Sequence, residues 1–268
     1  MPDFGGARVA LLEARLAEEA AAIVRRLGGE PVTAPALREV AHAIPGLADG
    51  FIARLATAPD PVVICLTGAG VRALFAQAAE QDCDVGLAHA IARATTVCRG
   101  PKPAGALATR KLPASIRAQT PYTTREVIEA MEPLDLRGRF VAVVHYGERN
   151  APLTAWLSHR GAELCELLPY EWQMPEDTAP LVDLVDEAIA GSIDAVAFTS
   201  QIQVRHLWKV AGERAGALRS ALGGPTIGAS GPTCAAALEA VGVAPTVVAD
   251  PPKLNALLRA MAEATTRT

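Results

Sequence analysis

Aromatic side chains are scarce in this chain of 268 residues: three Trp, three Tyr and five Phe, 4% in all. Half of the residues are nevertheless hydrophobic, so a sizeable core is within reach. That core must be aliphatic and alanine-rich, which favours helices. No run of about 18 uninterrupted apolar residues exists, so no membrane-spanning helix is expected. A basic excess is also missing. The 25 Lys and Arg against 29 Asp and Glu leave a net charge of −4, which argues against a general nucleic-acid surface. The five cysteines, at 65, 83, 98, 165 and 234, are odd in number and lack C-x-x-C spacing. They read as small buried hydrophobes in a reducing cytosol. The histidines at 42, 89, 145, 159 and 206 show no i,i+4 pair and no cysteine or carboxylate at ligand spacing, so no metal site is expected. The opening MPDFGGARVALLEA has no basic leader before its apolar run, so a cytoplasmic protein without a signal peptide is expected. No G-x-G-x-x-G or G-x-x-x-x-G-K-[ST] follows the first apolar run, which disfavours a nucleotide-dependent enzyme.

What is present is alternation. Short apolar, β-branched runs at 9–12, 62–66, 95–98, 140–145, 164–168, 195–199 and 226–229 read as strands, with a shorter one at 246–249. Helical patterns lie between them, among them 14–27, stopped by Gly28-Gly29, one from about Gly70, 153–160, 181–190, 204–213, 231–241 and 253–264. Strands that are apolar throughout, joined by helices, predict parallel sheets covered on both faces.

The pattern also repeats. Val62-Val63-Ile64-Cys65-Leu66-Thr67 ends in a hydroxyl and continues to Val71-Arg72-x-Leu74; Ala195-Val196-Ala197-Phe198-Thr199-Ser200 continues to Val204-Arg205-x-Leu207 at the same offsets. Gly100-Pro101-x-x-Ala104-x-Ala106-Leu107 matches Gly231-Pro232-x-x-Ala235-x-Ala237-Leu238 position for position. The helix that ends in Gly28-x-Glu30 corresponds to the one that ends in Gly161-x-Glu163, each leading to an extended stretch with a proline, Pro35 or Pro169. A repeat this long is a domain duplication rather than a solenoid. In such folds a hydroxyl at the carboxyl end of a strand serves as a helix N-cap or faces a ligand. Both roles are open for Thr67 and Ser200.

These motifs, in this order, resemble the uroporphyrinogen-III synthase family over nearly the whole chain. They are the first strand with Arg15 just beyond it, LTGAGVRAL, RGPKPAGAL, GAELCELLPYEW with its Tyr170, AFTSQIQVRHL and ASGPTCAAALEAVGV. The resemblance implies two similar α/β lobes, each a parallel sheet covered by helices in a flavodoxin-like arrangement, joined by a two-stranded connector. Residues 1–34 with 172–268 would form one discontinuous lobe and 37–168 the other. The connectors would fall near 34–37 and 169–172, where Pro35 and Pro169 suit exposed extended chain. The active site would lie in the cleft between the lobes. The implied reaction closes the linear tetrapyrrole hydroxymethylbilane to uroporphyrinogen III with loss of water and inversion of ring D, using no metal or organic cofactor. The implied protein is a monomer without nucleic-acid or membrane partners. The alternative reading is a non-catalytic relative of the same fold that senses a tetrapyrrole or another anion.

The resemblance also selects site residues. Tyr170 is the expected catalytic group, placed to protonate the departing hydroxyl; otherwise it packs on Trp172. Thr67, Gly68, Ser200, Gln201, Gly231 and Thr233 lie at helix starts where amides meet substrate carboxylates. Arg15, Arg99 and Lys102 are cations near strand ends, with Arg149 a further candidate. Arg72 and Arg205, inside helices, read as solvated charges. Two positions depart from the family pattern: Ala14 stands where a serine or threonine is usual, and Lys111 where a glycine is expected, although its counterpart Gly242 is kept.

Overall fold

The computed structural model describes residues 2–265. In chain order the elements are β1 Arg8–Leu11, α1 Ala17–Arg26, β2 Glu30–Thr33, β3 Arg38–Ala41, a π turn Leu47–Ile52, α2 Ala53–Thr57, β4 Val62–Cys65, α3 Gly68–Glu80, α4 Asp84–Ala92, β5 Thr95–Cys98, α5 Pro101–Ala108, β6 Ile116–Arg117 and α6 Thr124–Met131. There follow β7 Phe140–Val144, α7 Ala151–His159, β8 Glu163–Leu167, β9 Tyr170–Gln173, α8 Ala179–Ile189, β10 Ala195–Phe198, α9 Gln201–Ala211, a 3₁₀ turn Gly212–Arg214, α10 Ala215–Ala221, β11 Thr226–Ala229, α11 Pro232–Ala240, β12 Val247–Val248 and α12 Leu254–Thr265. The chain divides into two compact units, Met1–Arg38 with Gln173–Thr268, and Glu39–Trp172.

In the first unit a parallel sheet runs in the order β12-β11-β10-β1-β2. Both faces are buried, so the strands lack polar alternation. Period two sends Val9 and Leu11 to the core under α1 and α12, and Ala10 to the core under α8, α9 and α11. In the second unit the parallel order is β6-β5-β4-β7-β8. Val62 and Ile64 face α6 and α7, while Val63 and Cys65 face α3, α4 and α5.

The two sheets correspond as β10 to β4, β11 to β5, β12 to β6, β1 to β7 and β2 to β8. The duplication is therefore a circular permutation. The β1-α1-β2 unit opens the chain, whereas its counterpart β7-α7-β8 follows α6. Each unit has the doubly wound α/β plan, with strand order 2-1-3-4-5 in the first and 3-2-1-4-5 in the second.

Equivalent details recur. At the end of α5, Lys111 has φ 58°, and at the end of α11 Gly242 has φ 80°. The Leu112 and Val243 amides then close onto the carbonyls of Leu107 and Leu238 at 3.1 and 3.0 Å. Lys111 thus holds the left-handed conformation that glycine adopts freely. The Gly-Pro corners match in sequence but not in backbone: Gly100 is extended, with φ −176°, and Gly231 has φ 85°.

Some boundaries differ from the sequence expectation. The helix expected over 14–27 starts at Ala17, and residues 14–16 form a turn without a side-chain cap. The helix after Thr67 starts at Gly68, because Thr67 itself caps it. Ala34 and Ala36, expected in an exposed connector, are fully buried. Their amides continue the β1 ladder, bonding to the Leu11 and Leu12 carbonyls at 2.9 and 3.1 Å. The chain leaves the first unit within β3 and returns within β9, and these two strands pair. Helices α2, α4, α6 and α10 lie outside the helices expected from the sequence. Among the described residues no helix is long and apolar enough to cross a membrane, and no group of three or more His, Cys, Asp or Glu converges.

Candidate active site at the sheet edges

Open parallel sheets bind ligands beyond the carboxyl ends of their strands, where the strand order reverses. In the second unit that point lies between β4 and β7. Thr67 leaves β4 extended, and its Oγ1 accepts the Gly70 amide at 2.9 Å. Gly68 and Gly70 let α3 approach closely: a Cβ on Gly68 would lie 2.8 Å from the Lys102 carbonyl oxygen, and one on Gly70 2.7 Å from that of His145.

Tyr170, the first residue of β9, is brought to this corner. It is only 6% exposed, and its hydroxyl lies 3.4 Å from Thr67 Oγ1. Its ring meets Trp172 edge-on, with centroids 6.4 Å apart. The Trp172 amide donates to the Gly147 carbonyl at 2.8 Å. The Trp172 indole covers Gly147 so closely that any Cβ there would collide with it. Tyr146 also packs on Trp172, with centroids 5.6 Å apart. The Arg99 guanidinium stands 5.0 Å from the centroid of the Tyr146 ring. No carboxylate pairs with Arg99 among the described residues, and burial lowers its pKa, with Tyr146 and Tyr170 acting the other way. An aromatic face is a partial substitute for a counter-ion.

Burial raises the Tyr170 pKa above the ordinary phenol value, while the Thr67 hydroxyl, the Gly147 amide and Arg99 oppose that rise. The phenol is therefore protonated at neutral pH. Thr67 Oγ1 already accepts from Gly70, so its own proton is free for the Tyr170 oxygen. With the Gly147 amide turned to the same oxygen, the Tyr170 O–H is left to donate elsewhere.

Behind this corner is a network the sequence did not reveal. His145 is fully buried, with Nε2 2.9 Å from Glu166 Oε1 and Nδ1 accepting the Asn150 amide at 3.2 Å. That pattern puts the imidazole proton on Nε2. Burial lowers the His145 pKa; Glu166 raises it and Arg149 lowers it. Arg149, considered as a substrate cation, is paired with Glu166 at 2.8 Å. His145 and Glu166 are 21 residues apart. The pairing of β7 with β8 in register, Val144 opposite Leu167, brings them together, and only that register signals the contact.

In the first unit the order reverses between β1 and β10. Ser200 has φ −155° and ψ 154°, against −142° and 154° at Thr67. The backbone repeats, but the hydroxyls differ in use. Ser200 Oγ is buried and turned toward the Gln203 amide, but makes no hydrogen bond of normal geometry among the described residues. Gln203, at the third helical position, reaches back as in a capping box, its Oε1 accepting the Thr199 and Ser200 amides at 2.7 and 3.3 Å. Its Nε2 donates to the Leu12 carbonyl at 3.2 Å and to Thr199 Oγ1 at 2.9 Å. Thr199 in turn donates to Glu13 at 2.6 Å. Gln201 opens α9 and is half-buried.

The remaining candidates lie on the surface. Arg15 is exposed in the turn before α1, Lys102 is exposed in the first turn of α5, and Thr233 is exposed in the first turn of α11, behind the buried Gly231. The structure brings Thr67, Gly68, Arg99 and Tyr170 to one edge of the second unit. It places Arg15, Ser200, Gln201, Gly231 and Thr233 in the first.

Comparison with known proteins identifies the family. The family model described as Uroporphyrinogen-III synthase HemD matches residues 18–259. A Bacillus subtilis protein, Uncharacterized protein YjjA, is 33% identical over 207 residues, covering 77% of this chain and 75% of its own. A putative uroporphyrinogen-III synthase of Methanothermobacter thermautotrophicus is 34% identical over 122 residues, 46% of this chain and 48% of its own. The crystal structure of a mutant uroporphyrinogen III synthase from the extremely thermophilic bacterium Thermus thermophilus is similar with a TM-score of 0.80 and 29% identity, covering 98% of this chain and 100% of that one. With the family model spanning most of the chain, this protein belongs to the uroporphyrinogen-III synthase family.

Proposed function

We propose that this protein closes hydroxymethylbilane to uroporphyrinogen III, with loss of water and inversion of ring D, and that Tyr170 gives the proton that the departing hydroxyl needs. The observation that carries the role of Tyr170 is its placement: a buried, protonated phenol whose oxygen faces Thr67 and Gly147. As the C–O bond breaks, the leaving oxygen takes the phenol proton and departs as water. A delocalised azafulvene cation remains. The substituted carbon of ring D bonds to the ring A methylene, its old bond to the ring C bridge breaks, and that bridge re-bonds to the unsubstituted α-carbon of ring D. The proton lost from that carbon restores the phenol, so the net loss is water. Arg99, resting on Tyr146, is kept as a cation for substrate carboxylates rather than for the cyclising carbons.

Carboxylates of the substrate are met by Arg15, Arg99 and Lys102 and by the helix starts at Gly68, Gln201 and Gly231–Thr233, with the hydroxyls of Thr67 and Ser200 beside them. Helix N-termini favour anions because their first amides are unpaired. Ser200 Oγ, buried and without a hydrogen bond among the described residues, gains a partner when such a group arrives. Much of the catalysis is then positioning, which suits a reaction whose hard step is folding the substrate. The same reading has a cytoplasmic monomer work without cofactor, nucleic acid or membrane.

The test is Tyr170→Phe, which keeps the ring. Turnover should fall by about 100-fold, in the range of a lost general acid, while affinity for uroporphyrinogen III is retained. Turnover equal to the wild type removes Tyr170 from the proton transfer.

A further inference from the structure

We infer that Gln77 is a positioning residue for Tyr170: its buried carboxamide ties α3 to the chain at Pro169 and His42 and so sets where the phenol stands. Gln77 is 8% exposed on α3, with Leu74 and Ala78 of the same helix buried around it. A polar side chain in such a place is costly unless its hydrogen bonds are made. Here both of its N–H groups are used, Nε2 donating to the carbonyls of Pro169 and His42 at 2.8 Å each. Its Oε1 accepts the Ile44 amide at 3.0 Å. The Pro169 carbonyl also accepts the His42 amide at 3.2 Å.

Pro169 is the residue before Tyr170, so fixing its carbonyl fixes the peptide plane that joins the two. The same helix carries Thr67 at its N-cap, 3.4 Å from the Tyr170 hydroxyl. Helix α3 therefore holds the phenol residue at two points, backbone through Gln77 and hydroxyl through Thr67. An apolar side chain of equal length would fill the volume at Gln77 but unmake the bonds to the Ile44 amide and to the His42 and Pro169 carbonyls. The carboxamide adds position as well as these bonds.

This inference rests on the reading of Tyr170 as the proton donor, and the experiment separates the two. Cyclisation of hydroxymethylbilane is measured for the wild type, Gln77→Met, Tyr170→Phe and the double variant. Misplacing a catalytic group by about 1 Å costs up to about 100-fold. Gln77→Met is therefore expected to lower kcat about tenfold or more, with KM changed less than about twofold. In the Tyr170→Phe background the same substitution should change kcat less than about twofold, because the group it positions is already gone. An equal fall in both backgrounds overturns the role of Gln77 and leaves Tyr170 standing. A Tyr170→Phe variant with wild-type turnover overturns both. Gln77→Glu, which keeps an acceptor for Ile44 and loses the donors to Pro169 and His42, is carried through the same cycle. It should reproduce the pattern; a kcat equal to the wild type in folded Gln77→Glu overturns the inference even where the Met variant fails to fold.

Discussion

The phenol oxygen of Tyr170 lies 3.4 Å from Oγ1 of Thr67, across 103 residues of chain. One of these side chains opens β9 and the other caps α3. Their meeting joins the two features that the sequence singled out separately, the doubled hydroxyl corner and the tyrosine after the GAELCELL run. Thr67 accepts from Gly70, and its own proton is then available to the phenol.

The two corners predict different responses to the same substitution. Thr67→Ala removes an N-cap bond and should cost about 1 kcal/mol of stability. Ser200→Ala removes a hydroxyl that makes no hydrogen bond among the described residues, so stability should stay within about 0.5 kcal/mol or rise slightly. Urea denaturation of both variants reads this directly. Affinity for uroporphyrinogen III should fall in each, and a loss of stability in Ser200→Ala as large as in Thr67→Ala would contradict the difference between the corners.

Arg99 provides a second test. A half-buried cation with an aromatic face and no carboxylate partner among the described residues is suited to an incoming carboxylate. Arg99→Met should weaken product binding by roughly 1.5–3 kcal/mol, the value of a hydrogen bond to a charged group, or about tenfold and upward. It should also flatten the salt dependence of binding. Arg72→Ala, which removes an exposed charge on α3, should do neither. Equal effects of the two substitutions, measured by calorimetry across salt concentrations, would remove Arg99 from the site.

His145 makes stability depend on pH. Its folded pKa is lowered below the ordinary 6.5, chiefly by burial, with Glu166 opposing and Arg149 adding to the shift. The unfolded chain therefore takes up a proton first as pH falls. The stability that comes from the neutral, buried ring is present above about pH 7.5 and declines through about 6.5 toward the lower folded value. His145→Gln should be less stable at about pH 8 but show a shallower decline between about pH 8 and 6 than the wild type. Parallel denaturation profiles would mean that His145 does not titrate differently in the folded state.

The sequence exposed more of the frame than of the site. Buried parallel strands are apolar throughout, so β4, β7 and β10 stand out, and the doubled corners disclosed the duplication. The pairing of β3 with β9 was hidden because Arg38-Glu39-Val40-Ala41 is short and largely polar. Helix α6 did carry a signal: Thr123 and Glu126 form a capping box, with the Thr123 amide 2.8 Å from Glu126 Oε2. Helix α4 is short and apolar on most sides, and periodicity does not mark such a segment. At the site, local rules identified Thr67 and Ser200 as helix starts but not the reach of Gln203 back to the Thr199 and Ser200 amides. The contacts of Tyr170 with Thr67, and of His145 with Glu166, depend on strand register and on the path of the returning chain. Neither is local information.

Above all, this protein should direct ring closure with inversion of ring D. The most direct measurement incubates it with freshly generated hydroxymethylbilane and separates the uroporphyrinogen isomers formed. Spontaneous closure gives type I. Type III should dominate with the wild-type protein, and Tyr170→Phe should shift the product toward type I as spontaneous closure overtakes it. Type I alone, in the presence of folded protein that binds the product, would mean that the protein does not direct the closure.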